Sequence, residues 1–202
     1  LKAAYNFVPG VMAMVLLLIC SLMTSIAIVR EKEMGTMEVL LVSPLKPALV
    51  VISKTIPYLV LSFINICSIL LLSYFVFNVP VKGNLFLLLA EGILFIITSL
   101  SLGMFVSSIA ATQTAAMFGT LVGLFMPTLM FSGFMFPVDN MPIPLQWLSN
   151  VIPSKWFFNI VKAIMIKGLG FSAIWKETLI LFGMTCMLFI ISIRKFDKRL
   201  SL

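Results

Sequence analysis

Apolar runs long enough to cross a bilayer recur along this chain, divided by short charged or turn-forming stretches. No formal charge occurs between Lys2 and Arg30 or between Lys54 and Lys82, and a third uncharged run of 47 residues extends from Gly92 to Val138. A helix needs about 20 apolar residues to cross a hydrocarbon core about 30 Å thick. The pattern therefore predicts spans over residues 7–29, 56–77, 85–106, 115–135 and 174–193, with the long run split at the polar stretch 107–114. Asn78, Pro80, Gly83 and Asn84 predict a tight turn after the second span.

Between the fourth and fifth spans the pattern changes. Pro137, Pro142, Pro144 and Pro153 forbid one continuous helix from Gly133 to Ser172. Ser154 is the expected N-cap of a short helix and Gly168 its expected terminator. The 13 residues between them reach roughly 20 Å, too little to cross. Lys155, Asn159 and Lys162 would share a polar stripe opposite Val161, Ile164 and Met165, while Trp147, Trp156, Phe157 and Phe158 suit the headgroup boundary. The segment reads as broken, partly re-entrant structure on the outer face, serving either as an interfacial anchor or as the lining of a substrate exit through Lys155 and Asn159. Ser99, Gly103 and Ser107, and then Ala115, Gly119 and Gly123, form small-residue ridges that let helices approach closely.

Residues 30–44, REKEMGTMEVLLVSP, follow the first span. As a helix they would place Met34, Met37 and Leu41 on one face and Glu31 and Glu38 on another, with Pro44 and Pro47 as the stop. A short amphipathic helix at a membrane exit can lie on the surface or dock a partner. Anionic lipid would repel its three glutamates, whereas a basic protein groove would accept them; a solvated connector is the remaining reading.

Composition fixes the class. Hydrophobic residues make up 61% of the 202 positions and charged residues only 10%, against about a quarter charged in soluble domains. Too few polar side chains remain to cover a water-facing surface, so the chain is an all-α integral membrane protein. With no histidine in the sequence, histidine-based triads and imidazole metal sites are excluded. Cys20, Cys67 and Cys186 are widely spaced in apolar runs and read as buried structural thiols. The net charge of +7 lies in clusters beside the spans, which points to orientation signals and away from nucleic acid. With five spans, loop 30–54, turn 107–114 and the tail 194–202 share a face carrying eight cations, against six on the other. That excess places the 30–54 face in the cytoplasm. Glu91, about two turns inside the third span, is expected to snorkel or pair with Lys82, or else to face a translocation path.

REKEMGTMEVLLVSP closely resembles the stretch after the second span of type-2 ATP-binding-cassette exporter membrane subunits, and the likeness continues through Lys54-Thr55-Ile56-Pro57-Tyr58, Thr112-Gln113, FSGFMFPVDNMP at 131–142, Pro153, Trp156 and Lys167-Gly168-Leu169-Gly170. The resemblance implies a six-span protomer with an external domain between spans one and two, of which this chain is spans two to six; the first span and that domain are expected upstream of Leu1. It departs from the pattern at TQTAAM, 112–117, and at Glu91. It further implies a cytoplasmic coupling helix at 30–44, with Glu31, Glu33, Gly35, Thr36 and Glu38 docking a separate ABC ATP-binding subunit, a second permease chain completing a homo- or heterodimer, and a place in the bacterial inner membrane. No GxxxxGK[ST] loop occurs in the sequence, so no cofactor is expected on this chain, and ATP with Mg is expected on the partner. An ion- or proton-coupled secondary transporter, or an assembly factor without a transport path, are the competing readings.

Overall fold

The computed structural model describes residues 2–35 and 47–200. Five helices are long and apolar enough to cross a membrane, at Asn6–Glu33, Thr55–Phe75, Leu85–Ile109, Gln113–Phe131 and Phe171–Ser192. They belong to α1 (Lys2–Glu33), α2 (Pro47–Phe75), α3 (Leu85–Ile109), the composite α4 (Gln113–Thr120) with α5 (Met126–Phe131), and α8 (Phe171–Leu200). The short helices α6 (Ile143–Asn150) and α7 (Pro153–Met165) lie between the fourth and fifth spans. No strand occurs among the described residues.

Three elements depart from the sequence pattern. Residues 30–33 were expected to open a separate amphipathic helix; they instead form the last turn of α1, which stops in a turn at Met34 and Gly35. The reason is local: nothing in Arg30-Glu31-Lys32-Glu33 breaks a helix, whereas Gly35 adopts φ +70, the left-handed conformation that ends one. Thr36 to Pro44, including Glu38, lie outside the described residues. The fourth span is interrupted by a π-turn at Leu121–Phe125, with the Met126 N–H bonded to Leu121 O, five residues back. Pro127 accounts for it, because it has no N–H to return to the carbonyl of Gly123. The span then ends at Phe131 rather than Met135, since Gly133 turns the chain at φ +84. Finally, α7 starts two residues early, with Ile152 as its cap and Pro153 in the first turn, so Ser154 caps nothing and is fully buried. Proline's preset φ opens the helix there without a side-chain cap.

α1 and α3 form the centre. Over half of their most apolar 18-residue stretches, 56%, is buried within the chain, against 11% for α2 and 17% for the last two spans. Met12, Leu16, Leu17 and Cys20 of α1 pack with Phe95 and Ile96 of α3 and Phe157, Ile160 and Ile164 of α7. The Phe95 and Phe157 rings stack in parallel at 4.1 Å, pinning α7 against α3, a contact of about 0.5–1.5 kcal/mol beyond burial. The small-residue ridge on α3 is used inside the chain, with Ser99, Gly103 and Ser107 buried. Along the fourth span, Ala115 of α4 and Gly123 of the π-turn are exposed. Cys20 is buried and bonded to the Ser62 hydroxyl at 2.9 Å. Cys186 instead faces outward from α8 and Cys67 is half-buried, so burial of all three thiols does not hold.

Candidate functional site

The end of α1 meets the turn between α3 and α4. A helix leaves its first N–H groups and last C=O groups without partners of their own. Ser107 O in the last turn of α3 accepts a hydrogen bond from the Lys32 ammonium. Gln113 opens α4, and its backbone N–H and side-chain amide donate to the two oxygens of the Glu33 carboxylate at 3.0 and 2.5 Å. Thr112 caps α4 more conventionally, its hydroxyl accepting from the Ala115 N–H at 3.2 Å. Two consecutive side chains of α1 thus serve opposite helix ends: a cation at the carbonyl end of α3 and an anion at the amide end of α4. Both signs match the helix dipoles. Two turns deeper, the hydroxyls of Ser25 on α1 and Thr120 on α4 lie 3.1 Å apart and are buried.

Of the residues the sequence assigned to docking, Glu31 is half-buried, Glu33 is taken up by Gln113, and Gly35 forms the terminating turn. Thr36 and Glu38 fall outside the described residues.

The three residues proposed for a translocation path do not converge. Glu91 turns inward to α8, accepting from the Thr178 hydroxyl at 2.8 Å, with its second oxygen buried and without a partner. The expected pairing with Lys82 is therefore replaced by Thr178, because Glu91 lies on the α8-facing side of α3 while Lys82 is exposed in the preceding turn. Lys155 reaches the other way, to Ser149 Oγ at 3.1 Å and Asn150 Oδ1 at 2.5 Å, with its ammonium 5.4 Å from the Trp156 ring centre. Asn159, one turn on, is exposed.

A cavity of about 290 Å³ opens where α1, α3, α5, α7 and α8 meet. Leu17, Leu102, Leu124, Pro127, Pro153 and Met187 line it, and Thr128 supplies its hydroxyl. Its walls suit an apolar occupant. Among the described residues no cluster of acids and thiols could hold a metal ion.

Sequence reasoning missed Lys32, Ser107, Gln113 and Thr178. The polar stretch at 107–114 was visible as a turn, but nothing in the pattern pairs Glu33 with a residue 80 positions away.

Residues 2–166 match the family model described as ABC-2 type transporter. The chain is 31% identical over 161 residues to the probable multidrug ABC transporter permease YbhS of Escherichia coli, covering 80% of this chain and 43% of that protein. It is 30% identical over 196 residues to the inner membrane transport permease YhhJ of Escherichia coli, covering 95% and 52%, and 27% identical over 199 residues to ABC transporter G family member 20 of Dictyostelium discoideum, covering 96% and 27%. The chain therefore spans about half or less of the length of these relatives. No solved structure matches it significantly. With a family model covering most of its length and five spanning helices packed around α1 and α3, this chain belongs to the ABC-2 type transporter membrane family.

Proposed function

We propose that the chain is the membrane-spanning part of a permease subunit of an ATP-driven exporter in a bacterial inner membrane. A separate ATP-binding subunit hydrolyses ATP with Mg, a second permease chain completes the pore, and residues 30–54 and 194–202 face the cytoplasm. An upstream span and external domain precede this part of the chain. The observation that carries the reading is the charged end of α1, which stops at the Gly35 turn beside the α3–α4 connection. That end delivers the chain into 36–46, where Glu38, with Glu31 at the end of α1, can meet a basic groove on a soluble partner. Glu31, Gly35, Thr36 and Glu38 make the docking contacts. Lys155 and Asn159 on α7 belong to the exit side, while Glu91 holds α3 to α8 through Thr178. A closing ATPase pair would bias the spans between two arrangements by its differential contact with this segment.

Co-purification tests the assignment. The subunit co-expressed with its ATP-binding partner should retain it on an affinity resin, and Glu31→Lys/Glu38→Lys should cut retention at least tenfold, as expected when two buried charge contacts become repulsive. Unchanged retention in the double variant would remove the acidic segment from the interface.

A further inference from the structure

We propose that Glu33 does not dock the partner but clamps α1 to α4, while Lys32 ties the same end of α1 to α3, making α1 and α4 move as one body that yields at the π-turn. The inference rests on the permease reading above and adds to it the route by which a push on the docking segment enters the bundle.

Four observations carry it. Lys32 and Glu33 each satisfy a backbone group that its own helix leaves open, on α3 and α4 respectively. Both bonds are charge-assisted and therefore about twice as strong as neutral ones. The Ser25–Thr120 contact repeats the α1–α4 tie 8 residues back along α1 and 7 residues on along α4, so the pair is joined at both ends of a two-turn stretch. The second tie falls on Thr120, and the π-turn begins at the next residue, Leu121. Beyond that turn, α5 and its Pro127 and Thr128 line the apolar cavity. α4 is thus tied to α1 at both its ends, and the first weak link lies where the cavity wall begins. Below the clamp, Gly35 is exposed and turns at φ +70. Force applied past Gly35 reaches α4 through Glu33 and Gln113.

Glu33 is accordingly a positioning residue, and its removal should separate partner binding from movement. Spin labels on Met126→Cys, just past the π-turn, and Leu179→Cys on α8 would report the distance between α5 and α8 by pulsed electron resonance. The full-length subunit in complex with its ATP-binding partner would be compared without nucleotide and after trapping with ATP and vanadate. Glu33→Ala should keep the ATP-binding subunit while reducing the nucleotide-driven population shift about fivefold or more, the lower end of usual coupling between sites. Glu33→Gln/Gln113→Glu, which exchanges the donor and acceptor, should restore it. An unchanged shift in Glu33→Ala, loss of the ATP-binding subunit from that variant, or failure of the exchange to rescue would each overturn the clamp. A wild-type subunit that retains no ATP-binding partner would overturn the permease reading itself, a result distinct from all three.

Discussion

At Gly103 the absence of a side chain sets how closely two spans can lie. A Cβ there would stand 2.6 Å from Ser21 O and 2.9 Å from Ser21 Cα. Those atoms belong to the α1 backbone and cannot swing aside as a flexible side chain would. The approach matters because lipid offers helices no hydrophobic drive to associate, leaving dispersion and polar contacts to hold them. Gly103→Val should therefore force α1 from α3 and destabilise the bundle by about 1–3 kcal/mol, the usual cost of overpacking. A lowered midpoint of thermal unfolding in detergent would register it. Gly123→Ala is the matched control, since a Cβ there meets nothing within 4 Å. The ridge spacing in the sequence marked both glycines alike. What separates them is which side of each helix faces a neighbour, and that depends on packing between segments 80 residues apart, which no local pattern encodes. The same limit hid Gln113 behind Glu33 and Thr178 behind Glu91.

The spans themselves were legible because the bilayer imposes a length and excludes charge, so the gaps between Lys2, Arg30, Lys54 and Lys82 nearly dictate where helices run. Their ends were less so. Arg30 to Glu33 read as the start of something new because they are charged, yet charge does not break a helix; the left-handed turn at Gly35 does. The fourth span shows the converse. It carries no formal charge, but Pro127 costs it one backbone bond and inserts the π-turn at Leu121–Phe125. Pro127→Ala returns an N–H to the ladder and should let the span run as a regular helix, stabilising it by about 1–3 kcal/mol, within the ~3 kcal/mol proline costs inside a helix. The expected signature is opposed: a higher unfolding temperature together with slower ATP-driven efflux of a lipophilic dye, because the joint beside the cavity has stiffened. A variant that is both more stable and fully active would assign the π-turn no part in movement.

For the molecule as a whole, one joint fixes which connections share a membrane face. The Lys82 N–H donates to Met165 O at 3.1 Å, and a Cβ on Gly168, at φ +65, would lie 3.5 Å from Lys82 Cβ. The turn before α3 and the turn after α7 are thus stitched together, so α7 rises back to the face from which α3 departs. α3 then crosses to Ala110 and Ala111, beside Lys32 and Glu33, which puts that turn on the opposite face. These relations hold whichever way the bundle points. In the proposed reading, the excess of cations on the 30–54 face turns that face to the cytoplasm, and cysteine labelling tests it. In a background lacking the three native cysteines, Lys82→Cys and Lys167→Cys, both at exposed positions, should react with a membrane-impermeant maleimide in intact cells. Ala111→Cys, also exposed, should react only after permeabilisation. Labelling of all three from outside would break the stitched arrangement of α3 and α7. A complete inversion of the pattern would keep the fold but place the segment after α1 outside the cell, where no ATP-driven partner could reach it.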